Sequence, residues 1–118
     1  MNLLLAEDDA RNRDMLSRRL QRRGFTVIEA ENGHIAVQAV KAHGPQIILM
    51  DLAMPEMNGW EAIERIREAD QKVPIIVLSA HSLGGERERA LTLGAQAYLS
   101  KPIDFEQLLE SIKELVTS

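Results

Sequence analysis

The sequence predicts an α/β domain, a parallel sheet with helices packed on both faces. Short apolar runs alternate strictly with amphipathic segments, five of each, along the 118 residues. Two of those runs, Gln46-Ile-Ile-Leu-Met50 and Pro74-Ile-Ile-Val-Leu78, are apolar without alternation, as strands covered on both sides are. No linker or second composition regime divides the chain, so one domain spanning 1–118 is expected, its strands joined by right-handed crossovers.

Asn2-Leu-Leu-Leu-Ala6 reads as the first strand. Asp9 is placed to cap the next helix, whose apolar positions Met15, Leu16 and Leu20 lie on one side. Gly24 ends that helix, as a glycine just past a helix terminus commonly does. Phe25–Ile28 is the second strand. Asn32 caps a second helix carrying Ile35, Ala36, Ala39 and Val40, which His43-Gly44-Pro45 breaks. Gln46–Met50 is the third strand, and Trp60, Ile63 and Ile66 recur at helical spacing after it. Pro74–Leu78 is the fourth strand, and a weaker helix follows Gly84-Gly85. Ala97–Ser100 is the fifth strand. Asp104 caps a last helix with Phe105, Leu108, Leu109, Ile112, Leu115 and Val116 on one stripe.

Apolar residues at 45% and charged residues at 27% describe a globular protein. A net charge of -4 gives no support to a nucleic-acid binder, which needs a basic face. The absence of cysteine excludes disulfides and thiolate metal sites. No apolar run approaches the roughly 20 residues that cross a bilayer, and the N-terminus lacks the basic-then-apolar pattern of a secretory leader. A cytoplasmic protein with no membrane or nucleic-acid partner is expected. Because the first strand opens at Met1 and the chain closes just after the fifth helix, it is also expected to stand alone, without a DNA-binding output domain.

In a parallel α/β sheet, ligands bind outside the carboxyl ends of the strands. Glu7, Asp8 and Asp9 follow the first strand, Asp51 the third and Lys101 the fifth, so distant residues meet in an acidic pocket facing one ammonium. Crowded carboxylates repel one another unless a cation joins them, which asks for a hard, oxygen-seeking divalent ion. Singly, each residue has an ordinary explanation. A strand-end aspartate is commonly a cap or turn former, an acidic triplet a helix start favoured by the dipole, Lys101 a solvated lysine and Ser79 a small strand-end residue. Asp9 reads mainly as a cap. No histidine pair has metal-ligand spacing, and His34 and His43 read as surface residues.

Four motifs in order decide between these readings. Asp51-Leu-Ala-Met54-Pro55-Glu-Met57-Asn-Gly59 resembles the phosphorylation-site run of response regulator receiver domains, and Glu7-Asp8-Asp9 resembles that family's acidic group after the first strand. Ser79-Ala80 is similar to its hydroxyl position, and Tyr98-Leu-Ser-Lys101-Pro102 to its switch aromatic and lysine-proline pair. The likeness covers essentially the whole chain. It implies a doubly wound five-stranded sheet in the order 2-1-3-4-5 with five helices, the flavodoxin-like fold of CheY-type proteins, and a cis peptide at Lys101-Pro102 that aims the lysine into the pocket.

The resemblance also implies the chemistry. Asp51 takes a phosphoryl group from a phosphohistidine of a histidine kinase or histidine phosphotransfer protein. Mg²⁺ is held by Asp8, Asp51 and the backbone carbonyl of Ala53, with Glu7 one shell out through a water. Lys101 pairs with Asp51 at rest and with a phosphoryl oxygen afterwards, and Ser79 offers its hydroxyl to another. Tyr98 follows Ser79 inward, switching the face of the fourth helix, fifth strand and fifth helix for a downstream protein that the sequence leaves unnamed. Such a protein is a signalling receiver rather than an enzyme, promoting its own phosphorylation and slow dephosphorylation.

Two departures from the commoner pattern concern rate: Ala53 stands two after Asp51, and His81 two after Ser79, positions that flank the attacking water. Ala53 offers no group to orient that water, whereas His81 can orient or obstruct it. Trp60 reads as core packing ahead of recognition. Arg11, Arg13, Arg18, Arg19, Arg22 and Arg23 on the first helix admit two readings, a solvated face or a docking surface for the kinase side. Other functions on such a fold fit less well. A small-substrate phosphatase wants a second acid where Ala53 stands, and a flavin or nucleotide binder wants a Gly-, Ser- or Thr-rich turn where Glu7-Asp8-Asp9 stands. A degenerate receiver serving only as an interaction module usually lacks the aspartate, lysine or acidic pair, and this chain has all of them.

Overall fold

The structure, a computed structural model, describes residues 1–80 and 84–117. Its strands are β1 (Asn2–Ala6), β2 (Thr26–Ala30), β3 (Ile47–Asp51), β4 (Ile75–Ser79) and β5 (Ala97–Ser100). Its helices are α1 (Ala10–Arg22), α2 (Gly33–His43), α3 (Gly59–Ala69), α4 (Glu86–Leu93) and α5 (Phe105–Thr117). All strand pairs are parallel and the sheet order is β2-β1-β3-β4-β5. Both features agree with the expectation.

Alternate residues of the central strands enter two cores. Leu4, Ala6, Ile48, Met50, Ile75 and Val77 pack under α2, α3 and α4. Leu3, Leu5, Ile47, Leu49, Ile76 and Leu78 pack with Leu20 of α1 and with Phe105, Leu108 and Ile112 of α5. Each of these strand residues is at most 2% exposed, which is why the runs are apolar without alternation.

Three strands sit one or more residues later than expected. Phe25 is not in β2: its N–H donates to the Leu20 carbonyl at 3.2 Å and that of Gly24 to Gln21 at 3.0 Å. This closes α1 in a Schellman turn, with Gly24 at φ 94 supplying the left-handed residue the turn needs. β3 and β4 run on to Asp51 and Ser79 because the ladder continues there, Asp51 opposite Leu78 and Ser79 opposite Ser100. The Asp51 and Ser79 side chains therefore belong to the ends of paired strands rather than to loose loops. Met15, expected on the buried side of α1, is 56% exposed, while Ser17 two residues on is buried. Asp9, Asn32 and Asp104 cap their helices as expected, and Asn58 caps α3.

The loop after β3 is held from two sides. The Gly33 N–H donates to the Met57 carbonyl at 2.9 Å, and the Gly59 N–H to the Leu52 carbonyl at 3.0 Å. A Cβ on Gly59 would lie 2.4 Å from the Asp51 carbonyl oxygen and 2.7 Å from the Leu52 Cα, both backbone atoms. Gly59→Ala should therefore destabilise the fold by about 2 kcal/mol or more, as overpacking against atoms that cannot yield does. Urea unfolding checks this, and an unchanged midpoint would mean that the Asp51 loop shifts freely.

Candidate functional site

Because all five strands are parallel, β1, β3, β4 and β5 end on one rim of the sheet. Glu7, Asp51, Ser79 and Lys101 meet there. Lys101 Nζ donates to Glu7 Oε1 at 3.0 Å and to Asp51 Oδ2 at 3.3 Å. Glu7 and Asp51 are only 6% and 4% exposed, so neither can rely on water for neutralisation. Burial alone would push the Lys101 ammonium down in pKa. The hydrogen bond to Glu7 and the charge of Asp51 outweigh that and hold it above the ordinary lysine value. The Lys101–Pro102 peptide bond is cis.

Glu7, Asp8 and Asp51 each offer one carboxylate oxygen, and these atoms all lie within 4.8 Å of one another. Three acids against one ammonium leave an excess of negative charge, and a hard cation with oxygen coordination fits the set. Glu7, expected one shell out, stands in this cluster and is itself a salt-bridge partner of Lys101. Asp8 faces solvent. The desolvation it does suffer, followed by its hydrogen bond to Glu7 and the charge of Glu7, nevertheless raises its pKa above the ordinary aspartate value. Asp9 stays outside. Its Oδ1 accepts from Asn12 and Arg11 N–H groups at 3.0 and 2.9 Å, and these bonds, Asn12 first, lower its pKa as befits a helix cap.

Asp51 Oδ1 accepts from the Ala53 N–H at 3.2 Å, while the Ala53 methyl is exposed at the mouth of a hollow beside Asp51. Asn58, Trp60, Ser79 and Glu86 also line that hollow. His81, expected to act on the attacking water, lies outside the described residues. Ser79 is buried and its hydroxyl donates to Glu86 Oε1. The Tyr98 hydroxyl donates to the same oxygen, and burial, then this bond, raises the phenol's pKa. Tyr98 was expected to turn inward on phosphorylation. Its ring is already buried at 8% exposure, because Glu86 gives the hydroxyl a partner inside.

Sequence reasoning missed Glu86 because an acid in the first turn of a helix is ordinary. It also missed what Arg13 does: its Nη1 donates to the Glu7 carbonyl at 2.7 Å, and its Nε pairs with Glu29 at 3.2 Å, tying down the acidic loop. Trp60 is half-buried, packed partly on the core, with the Arg89 guanidinium 4.2 Å over its ring. On α1, Arg18 pairs with Asp14, and Arg19 lies 4.1 Å over the Phe105 ring beside exposed Met15. Arg23, just past the helix, pairs with Glu106. His34 and His43 are exposed.

The sequence matches the family model of the response regulator receiver domain over residues 3–113. It is 36% identical over 113 residues to the chemotaxis protein CheY of Bacillus subtilis, covering 95% of this chain and 94% of that one. It is 33% identical over 116 residues to the transcriptional regulatory protein CusR of Escherichia coli, of which it spans only 51%. Several of its curated relatives are thus about twice its length. The solved receiver domain of a CheY-like protein from Methanospirillum hungatei superposes with a TM-score of 0.92 at 25% identity, over 98% of this chain and 92% of that one. The chain belongs to the family of response regulator receiver domains, the signalling modules of two-component phosphorelays in which an aspartate is characteristically phosphorylated.

The raised pKa of Asp8 has a consequence for stability. The folded state binds its proton more tightly than the unfolded chain, so this group lowers stability as pH rises through that window and disfavours the fold while ionised at neutral pH. Asp8→Asn should therefore raise the melting temperature of the metal-free protein at pH 7 and weaken magnesium binding at least tenfold. Calorimetry with and without MgCl₂ measures both, and an unchanged magnesium affinity would remove Asp8 from the cation site.

Proposed function

We propose that this receiver accepts a phosphoryl group on Asp51 from a phosphohistidine of a sensor histidine kinase or a histidine phosphotransfer protein. The observation that carries the reading is Lys101 joined to Asp51 and Glu7 across the sheet, within reach of a three-carboxylate cluster. An Asp51 carboxylate oxygen attacks phosphorus, the phosphorus–nitrogen bond breaks, and the imidazole leaves with the bond's electron pair and takes up a proton. Asp51 is fixed for this by its place on the last rung of β3 and by the Ala53 N–H on its other oxygen. Lys101 stays beside the growing negative charge, where a preformed ammonium stabilises transfer best. Asp8 and Asp51, with Glu7 alongside, would hold Mg²⁺ together with the Ala53 carbonyl that the family resemblance implies, and the ion would neutralise charge on the phosphoryl oxygens.

In this reading the protein is a signalling switch rather than an enzyme, acts in the cytoplasm, and works through contact with proteins rather than nucleic acid. Its output face in this reading is α4, β5 and α5. Among the described residues no helix is long and apolar enough to cross a membrane. The arginines of α1 around exposed Met15 offer the donor protein a basic rim with an apolar centre. Of the two readings of that helix, docking is the one this surface favours.

Beryllofluoride, standing in for the phosphoryl group, should load the wild type in magnesium, and Asp51→Asn should abolish loading. Mass spectrometry after phosphotransfer should find the label on Asp51 alone. Label retained in the Asn variant at the wild-type rate would place the nucleophile elsewhere on the rim.

A second outcome concerns lifetime. Hydrolysis needs a water held in line with the acyl phosphate, and Ala53 presents only a methyl group at the mouth of the hollow. The phosphorylated state should be long-lived, and Ala53→Asn should shorten it several-fold by holding that water. Decay of radiolabelled protein is the measurement. No change in Ala53→Asn together with a several-fold longer lifetime in His81→Ala would shift the role to His81.

A further inference from the structure

The hydroxyl that the phosphoryl group needs already has a partner. Ser79, at the end of β4, donates to Oε1 of Glu86, the first residue of α4, and Tyr98 of β5 donates to the same atom. Ser79 is 3% exposed and Tyr98 8%, so these bonds form where water competes poorly. Hydrogen bonds to a carboxylate are about twice as strong as neutral ones. A serine hydroxyl has one proton and can give it to one acceptor at a time. Glu86 and Asp51 line the same hollow, so a phosphoryl group on Asp51 would replace its single negative charge with roughly -1.5 to -2, carried on oxygens that reach into the hollow with an existing carboxylate.

We propose that Glu86 is a positioning residue that competes with the phosphoryl group for the Ser79 hydroxyl, holding α4 against β4 and β5 until Asp51 is modified. The inference rests on Asp51 being the acceptor. Phosphorylation then exchanges one acceptor for another: Ser79 Oγ–H leaves Glu86 Oε1 for a phosphoryl oxygen, and Glu86 is driven out by like charge. Tyr98 loses its bond to Glu86 in the same event. The left-handed Gly85 immediately before the helix lets the first turn of α4 follow. The negative charge on Glu86 therefore weakens loading, and its removal strengthens it.

Beryllofluoride titration in magnesium, read by the fluorescence of Trp60, the chain's only tryptophan, tests this. Glu86→Gln keeps the shape and an acceptor but removes the charge, so it should tighten binding about fivefold to tenfold. Glu86→Ala should tighten it at least as much. Adding Ser79→Ala to either variant should remove most of the gain, because the gain depends on the released hydroxyl. A merely structural Glu86 would give the opposite, weaker loading in step with a lower melting temperature. If the wild type loads and the Gln variant binds equally or more weakly, the competition is absent and the proposal falls alone. If the wild type does not load at all, the acceptor reading falls and takes this one with it.

Discussion

Three carboxylates cannot share one rim of a sheet without something to hold them, and here that is the ammonium of Lys101. Glu7 and Asp51 are both buried, and an unpaired buried carboxylate would disfavour the fold by several kcal/mol. Lys101 reaches both from β5, across β4, which stands between its strand and that of Asp51. The rest of the fold serves this meeting. The order β2-β1-β3-β4-β5 puts β1, which leads into Glu7 and Asp8, beside β3, which carries Asp51, and their shared last rung fixes where the carboxylates stand. Arg13 and the Met57–Gly33 contact then hold the two loops that follow β1 and β3.

The rim has a second half built on different physics. Ser79, Tyr98 and Glu86 are joined by hydroxyl-to-carboxylate hydrogen bonds rather than by opposite charges. Lys101 pairs with Glu7 and Asp51, whereas the charge of Glu86 is met by two hydroxyl protons. New negative charge at Asp51 acts on both halves with opposite sign. It strengthens the attraction to Lys101 and works against the hold of Glu86 on Ser79. A modification at one atom can therefore tighten one side of the pocket and loosen the other.

Much of this was legible in the sequence, for identifiable reasons. Element order and the parallel sheet followed from apolar runs such as Ile75–Leu78, whose burial on both sides leaves no alternation to misread. The caps at Asp9, Asn32 and Asp104 were legible because capping is local chemistry. The convergence of Glu7, Asp8, Asp51 and Lys101 followed from strand ends alone, since a parallel sheet leaves them only one place to go. Strand boundaries were less visible. Phe25 is apolar enough for a strand, but its N–H is taken by Leu20 in the turn that ends α1. Met15 was misassigned because helical spacing cannot say how wide the buried stripe is, and on α1 that stripe stops at Leu16 and Leu20. Glu86 was invisible because its partners lie on β4 and β5, and nothing local separates it from any acid that favours a helix start.

The attachment of α4 gives the second half of the rim its consequence. Among the described residues α4, eight residues long, has no side-chain cap, and Ala90 is its only fully buried residue, with Leu93 partly packed on the same core. Helices α3 and α5 each present a full apolar stripe to the sheet, so their positions are set by burial and change only if the core opens. The position of α4 depends far more on what holds its first turn, and Glu86 is there. A difference of a few kcal/mol between two placements is enough for a switch, the scale of one or two charge-assisted hydrogen bonds. Loss of the Ser79 bond can therefore move α4 where the same loss on α3 would move nothing. The reach of the signal is set by how little apolar surface this one helix buries.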